Sequence, residues 1–307
     1  MPKPQGAKSP NGSGERPETR EGEVVAAHGR NFLVESDEGE IIQCLTRGKR
    51  ASIACGDRVL TAASGDGVSV IESVCTRRSL FLRAAAHREK LIAANATQLA
   101  LVVATEPSFS DELVMRAIAA AQYAGLKTLV ILNKSDIADK LDQARARLKG
   151  LENAGYRVIE TCALGDLRAL AALLHGEKNV LTGQSGMGKS TIINGLCPGE
   201  NAATQSISHF LASGRHTTSD SRLYRVDAQT SIIDSPGMQE FGLAHLGRTD
   251  IEASMPEFAP YLGQCRFQDC RHGPEPDCAL REAVERGHID ARRFELYHRI
   301  IGASSRN

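Results

Sequence analysis

The run Gly183-Gln184-Ser185-Gly186-Met187-Gly188-Lys189-Ser190 has the residue types and spacing of a phosphate cradle, G-x-x-x-x-G-K-[ST]. Glycines let the backbone curl so that successive N–H groups face an anion. A helix starting at the end of the run adds the positive end of its dipole. In that arrangement Lys189 reaches the β- and γ-phosphates of a nucleoside triphosphate and the Ser190 hydroxyl ligates Mg²⁺, with Thr191 next along the helix. The flanks fit: residues 179–181 read as an apolar strand and 190–196 as a helix.

Asn133-Lys134-Ser135-Asp136 follows a second apolar strand, 128–132, and resembles the N-K-x-D motif with which GTPases read guanine. A carboxylate at Asp136 accepts from both N1–H and the 2-amino group of guanine. Adenine offers neither donor and leaves the carboxylate without a partner, a loss worth orders of magnitude in selectivity. Asn133 is expected to meet the opposite edge of the base and to tie loops together, and the Lys134 stem to lie along the ring. The same tetrapeptide also makes a good turn and helix cap. The strand before it and the phosphate loop after it favour the nucleotide role.

Asp234-Ser235-Pro236-Gly237 matches D-x-x-G at the end of another apolar strand. Asp234 would hold Mg²⁺ through water, and the Gly237 N–H would bind the γ-phosphate. Gly214-Arg215-His216-Thr217-Thr218 lies where a GTPase keeps its first switch, so Thr217 or Thr218 completes the Mg²⁺ shell, Thr218 being favoured. Thr161-Cys162-Ala163 occupies the place of the last and loosest guanine-loop motif. The motifs are permuted: guanine motif, phosphate loop, first switch, D-x-x-G. All the parts are present, so the fold closes with its chain ends moved. Movement near Gly237 is then expected to reach a C-terminal domain through little intervening chain. Met238 follows Gly237 where many GTPases put a water-orienting Gln, and a thioether cannot orient water. His216 is a better candidate for that task than Gln239, and slow unassisted turnover is expected.

Cys265-x4-Cys270-x-His272-x5-Cys278 supplies three thiolates and an imidazole, a closed set suited to structural Zn²⁺. Eight cysteines in 307 residues are too few for a disulfide scaffold, and the cytoplasm is the default compartment, because no signal peptide or membrane-length apolar run is present.

These groups need elements to hold them. Residues 1–21, rich in Pro, Gly, Ser and charge, read as a disordered tail. Residues 22–79 contain five short strands, 23–27, 32–35, 41–45, 58–62 and 68–74, and predict an OB-like β-barrel, although five strands alone do not separate it from an SH3-like one. Arg47, Lys49, Arg50, Arg77, Arg78 and Arg83 gather nearby, as a polyanion-binding face or an ordinary solvated one. Residues 80–247 alternate strand and helix as a doubly wound α/β P-loop domain, with Asp111 a candidate cap for a helix over 111–124. Residues 248–307 read as a mostly helical zinc domain. Net charge is +0 and aromatics are 4% with no Trp, which argues against a histone-like binder and an aromatic single-strand platform but leaves room for a local basic face.

Taken together, the permuted motifs, the Gly214–Thr218 run and Cys265-Arg266-Phe267-Gln268-Asp269-Cys270-Arg271-His272 resemble the small ribosomal subunit-dependent GTPases, the circularly permuted family called RsgA or YjeQ, over residues 22–301. The resemblance implies an OB-fold, a permuted GTPase domain and a zinc domain. It implies GTP hydrolysis stimulated by the small ribosomal subunit during its late maturation, linked to factor release, with rRNA contacts through the barrel and zinc domains. Monomer is the default state. The sequence departs at Asp277, where the family often has Gly. A different class, a nucleotide-gated RNA-binding switch whose hydrolysis the ribosome does not activate, shares these features. A P-loop ATPase conflicts with Asn133–Asp136.

Overall fold

The computed structural model describes residues 19–46, 52–64, 68–85, 88–198, 221–235 and 237–304. Five strands come first: β1 (Thr19–His28), β2 (Asn31–Ser36), β3 (Ile41–Thr46), β4 (Arg58–Ala63) and β5 (Ser69–Val74). They run β1-β2-β3-β5-β4 and close through β4 onto β1. The β3–β5 pair is parallel, which a simple meander cannot produce. Closure of this order makes an OB-like barrel, filled by Val24, Phe32, Val34, Cys44, Val59 and Ile71. Thr19–Glu21, expected in the tail, begin β1 instead, because their backbones pair with Leu60, Thr61 and Ala62 of β4. The rest of the expected tail lies outside the described residues, except for residues from Thr19 onward.

A hairpin that the sequence pattern did not predict follows, β6 (Leu80–Ala85) and β7 (Arg88–Ala94). Beyond it lie β8 (Gln98–Ala104), α1 (Asp111–Tyr123), β9 (Lys127–Asn133), α2 (Ala138–Asn153), β10 (Arg157–Glu160), α3 (Arg168–Leu174), β11 (Lys178–Thr182), α4 (Lys189–Leu196), β12 (Ser221–Arg225) and β13 (Ser231–Asp234). The strand order is β10-β9-β8-β11-β13-β12, parallel except for the last strand, β12. β8 is buried at every position, as its continuous apolar run requires of a central parallel strand. Its one polar residue, Gln98, is satisfied by the Asn179 side chain at 2.9 Å. Ser110, not Asp111, caps α1: its Oγ accepts from the Leu113 N–H, and the extended backbone needed at a cap falls one residue earlier.

The two sheets are one. β12 pairs antiparallel with β1, joining barrel and α/β sheet into a continuous eleven-stranded surface. Val25, Ala26 and Leu33 therefore turn away from the barrel into the central core. Glu23, buried at this seam, pairs with Lys178 of β11 and with Arg225 of β12 at 2.7 Å.

The C-terminal region is helical: α5 (Arg248–Ala253), a 3-10 turn (Pro256–Phe258), α6 (Ala279–Glu285) and α7 (Ala291–Ser304). Tyr297 and Phe258 are fully buried and meet edge to face with centroids 5.3 Å apart. Gly287, with φ 75°, ends α6 as a left-handed C′ residue. No helix among the described residues is long and apolar enough to cross a membrane.

Candidate nucleotide site and metal cluster

The parallel strands β9, β10, β11 and β13 all end at one edge of the sheet, and the chain at the end of each carries a predicted motif. This is where open α/β sheets bind ligands. Gly183 through Gly188 curl between β11 and α4. At Gly183, φ 156°, a Cβ would lie 2.2 Å from the Val102 carbonyl oxygen. At Gly188, φ 91°, it would lie 2.2 Å from the Asn133 Nδ2. Both positions require glycine, for close approach and for the left-handed backbone.

Asn133, only 1% exposed, does what the sequence anticipated for loop tying. Its Nδ2 donates to the Met187 carbonyl at 2.9 Å, and its Oδ1 accepts from the Ala163 N–H at 3.0 Å. One side chain thus fixes the phosphate loop to the Thr161-Cys162-Ala163 loop. The Ser135 N–H donates to the Thr161 carbonyl at 3.1 Å. Lys134 adopts φ 59° and its Nζ donates to the Glu106 carbonyl at 2.7 Å. Asp136 is exposed beside these groups. Gln184 accepts from the Ser110 N–H at 2.6 Å, tying the loop to the start of α1. Ser185 and Ser190 are exposed, Thr191 half-buried and Met187 buried.

Lys189 folds back on its own loop, its Nζ donating to the carbonyls of Gly183 at 2.7 Å and Gln184 at 3.1 Å. Burial holds its pKa below the usual lysine value, against the attraction of Asp234. Burial pushes the Asp234 carboxyl up to about 6, with Lys189 opposing. Asp234 Oδ1 is buried and has no hydrogen-bond partner among the described residues. An acceptor without a donor, at the mouth of a phosphate loop, fits a hydrated cation. Gly237 lies alongside: a Cβ there would sit 3.8 Å from the Ser185 nitrogen and 3.9 Å from Lys189 Nζ. Met238 is 3% exposed and belongs to the core, so its side chain turns away from this edge. His216, Thr217 and Thr218, with Gly214, Arg215 and Pro236, lie outside the described residues.

Cys265, Cys270, His272 and Cys278 converge, their ligand atoms all within 4.8 Å of one another. Cys265 Sγ and Cys278 Sγ are 3.9 Å apart, and His272 Nδ1 is 3.5 and 3.4 Å from them. A tetrahedral ion with ordinary Zn–S and Zn–N bonds spaces sulfurs about 3.8 Å apart and sulfur from nitrogen about 3.5 Å. The donor set therefore fits zinc in chemistry and size. Asp277 takes φ 55°, the backbone for which glycine is the usual choice and which Asp tolerates. The local turn survives the departure, and Asp277 adds an ion pair with Arg266 at 3.1 Å.

Sequence reasoning missed the residues around the cluster. His272 presents Nδ1 to the sulfurs while Nε2 meets Glu252 Oε1 at 3.4 Å. The same Oε1 accepts from Tyr297 OH and Arg248 Nε, each at 2.6 Å. Arg248 also donates to the Cys270 carbonyl. Glu252 and Arg248 are one turn apart on α5, twenty residues upstream of the histidine, and a Glu–Arg pair at that spacing reads as an exposed helix face. Arg77 and Arg83, read as part of a basic cluster, also hold partners within the protein. Arg77 pairs with the buried Asp57 at 2.7 Å, and Arg83 donates to the Glu240 carbonyl at 2.7 Å. Arg47, Lys49 and Arg50 lie outside the described residues.

The RsgA GTPase family model matches residues 74–244. The small ribosomal subunit biogenesis GTPase RsgA of Nitrosospira multiformis is 45% identical over 289 residues, covering 93% of this chain and 91% of that protein. Its counterpart from Nitrosomonas europaea is 46% identical over 284 residues, covering 91% and 90%. Among solved structures, YjeQ from Thermotoga maritima superposes with a TM-score of 0.72 at 29% identity, covering 94% of this chain and 99% of that one. YloQ, a circularly permuted GTPase, shares the fold with a TM-score of 0.67 at 22% identity, covering 97% and 98%. The chain belongs to the RsgA GTPase family, enzymes that bind a guanine nucleotide with Mg²⁺ and hydrolyse GTP.

Proposed function

We propose that this GTPase acts in late maturation of the small ribosomal subunit, with turnover stimulated by that subunit. The observation that carries the nucleotide part is Asn133, which joins the guanine motif, the phosphate loop and the Thr161–Ala163 loop at one sheet edge. The ribosomal part rests on the relatives' printed role in small-subunit biogenesis. Asp136 reads N1–H and the 2-amino group of guanine, and Lys134 lies along the base. The phosphate-loop N–H groups and Lys189 hold the β- and γ-phosphates. The Gly237 N–H donates to the γ-phosphate. The Ser190 hydroxyl, Thr217 or Thr218, and Asp234 through water would hold Mg²⁺, which when bound would supply charge neutralisation at the phosphates. With Met238 committed to the core, orientation of the attacking water falls to His216 or to a group the ribosome supplies. Cys265, Cys270, His272 and Cys278 hold a structural zinc. The barrel and the zinc domain contact rRNA, and the protein acts as a cytoplasmic monomer.

Base selection is tested by Asp136→Asn. The amide keeps an acceptor for N1–H, but its NH2 opposes the 2-amino group of guanine and suits the C2 carbonyl of xanthine, so GTP affinity should fall and XTP affinity rise. Unchanged GTP binding would refute the assignment. The linked release is tested by sedimenting the protein with purified small subunits. Binding with a non-hydrolysable GTP analogue and release with GDP is expected, and equal binding in both states would refute it.

A further inference from the structure

The segment that follows Gly237 is held by the hairpin β6–β7. The Ala84 N–H donates to the Gly242 carbonyl at 2.9 Å, and the Ala84 carbonyl accepts from the Ala244 N–H at 3.0 Å. Ala84 and Leu243 thereby form a parallel bridge, so residues 242–244 add to the hairpin as a short third strand. Two arginines take the preceding carbonyls. Arg83 of β6 donates to Glu240 O at 2.7 Å, and Arg116 of α1 donates to Phe241 O at 3.3 Å. Phe81 and Phe241, both fully buried, pack with ring centroids 5.7 Å apart. Met238, one residue past Gly237, donates its N–H to the Gly183 carbonyl at 3.1 Å. The chain from 237 to 244 is therefore fixed to the phosphate loop at one end and to the hairpin at the other.

The base of the hairpin is fixed to the barrel. The Ala94 N–H donates to the Cys55 carbonyl at 2.9 Å, and Asn95 Nδ2 donates to the Gly56 carbonyl at 2.9 Å. Contact there is so close that a Cβ on Gly56 would lie 2.3 Å from the Ala94 oxygen and 3.0 Å from Ile233 of β13. The hairpin thus has one end on the barrel loop 54–57 and one strand on residues 240–244, just past the D-x-x-G motif.

We propose that Arg83 is a positioning residue for GTP hydrolysis: with Ala84 it sets the segment after Gly237, and so transmits the barrel's position to the Gly237 amide. This rests on the assignment of Gly237 to the γ-phosphate. The Arg83 bond ends on a backbone carbonyl, so it constrains main chain, not a side chain. Arg116 makes a weaker hold on the neighbouring carbonyl, and its buried Nε has no partner among the described residues. Arg83 is therefore the firmer of the two handles.

The test compares Arg83→Ala, Arg83→Lys and Gly237→Pro in the full chain, reading basal kcat, KM for GTP and GDP affinity. Loss of one charge-assisted bond to the segment should lower kcat by about tenfold in Arg83→Ala, with KM and GDP affinity within about twofold. Lys keeps a donor, so Arg83→Lys should recover most of the rate. Amide exchange over residues 240–246 should quicken in the Ala variant and not in the Lys variant. An unchanged kcat in Arg83→Ala, or a parallel loss of kcat and GDP affinity that Lys fails to restore, overturns the proposal. Gly237→Pro, which removes the amide N–H, separates the two levels. If it abolishes hydrolysis while Arg83→Ala does nothing, only the positioning role fails. If it hydrolyses GTP normally, the γ-phosphate assignment fails and takes the positioning role with it. Should Arg83→Ala not fold, the same kcat-to-KM comparison is read from Arg83→Gln.

Discussion

Replacing Asn133 should cost stability before it costs nucleotide binding. The side chain is buried, and its two hydrogen bonds end on backbone groups of two different loops, Met187 O at 2.9 Å and Ala163 N at 3.0 Å. In Asn133→Ala both backbone partners lose their bond. A net hydrogen bond is worth about 1 kcal/mol, and a buried group left without a partner costs about 1–3 kcal/mol, so the loss should be about 2–4 kcal/mol. For a unit of this size that lowers Tm by about 5–12 °C. Asn133→Asp is the sharper variant. It keeps an acceptor for Ala163 N but sets a carboxylate oxygen against the Met187 carbonyl, where a donor stood. Its loss should equal or exceed that of the alanine variant, although it is the closer isostere. The assay is thermal unfolding of each variant stripped of nucleotide, beside GDP affinity by fluorescence titration. If both variants melt with the unsubstituted protein and lose only GDP affinity, Asn133 is a base contact alone and the loop-tying argument is wrong.

Glu252→Gln should weaken zinc retention by about 10–100-fold, read as the rate of zinc release to a chromogenic chelator, because His272 Nε2 loses its charged partner; release at the original rate would remove Glu252 from the metal's support. Asp234 sets a pH dependence. Its folded-state pKa of about 6 stands above the ordinary 3.8, so its contribution to stability is fully present below 3.8 and lost as pH rises through about 6. In EDTA and without nucleotide, Asp234→Asn should therefore be the more stable protein near neutral pH, by up to about 3 kcal/mol, and the gain should vanish toward acid. A gain that does not change with pH would show that charge is not its source.

Much of the site was legible because its chemistry is local. A phosphate loop is a contiguous run whose glycines, lysine and serine must sit at fixed offsets, and the strand and helix flanking it are adjacent in the chain. The same holds for the cysteine cluster, where fourteen positions carry all four donors. The parts that were missed are non-local. β6 reads as a short Leu-Phe-Leu-Arg-Ala-Ala stretch with no partner in view, and its register is set by β7 and by residues 242–244, far along the chain. The β1–β12 pair joins residues nearly two hundred positions apart, which no periodicity announces. Glu252 looks like any helical glutamate until the fold brings His272 to it. Arg83 looks like surface charge until Glu240 arrives. In each case the residue type is common, and only the tertiary partner gives it a task.

The most direct test of the account is steady-state GTP hydrolysis by the purified protein with and without small ribosomal subunits, with ATP as the control. The account predicts slow turnover alone, strong acceleration by the small subunit, and no hydrolysis of ATP in either case, following from the proposed reading of guanine by Asp136 and from Met238, not glutamine, directly after Gly237. Turnover that the small subunit leaves unchanged would contradict it.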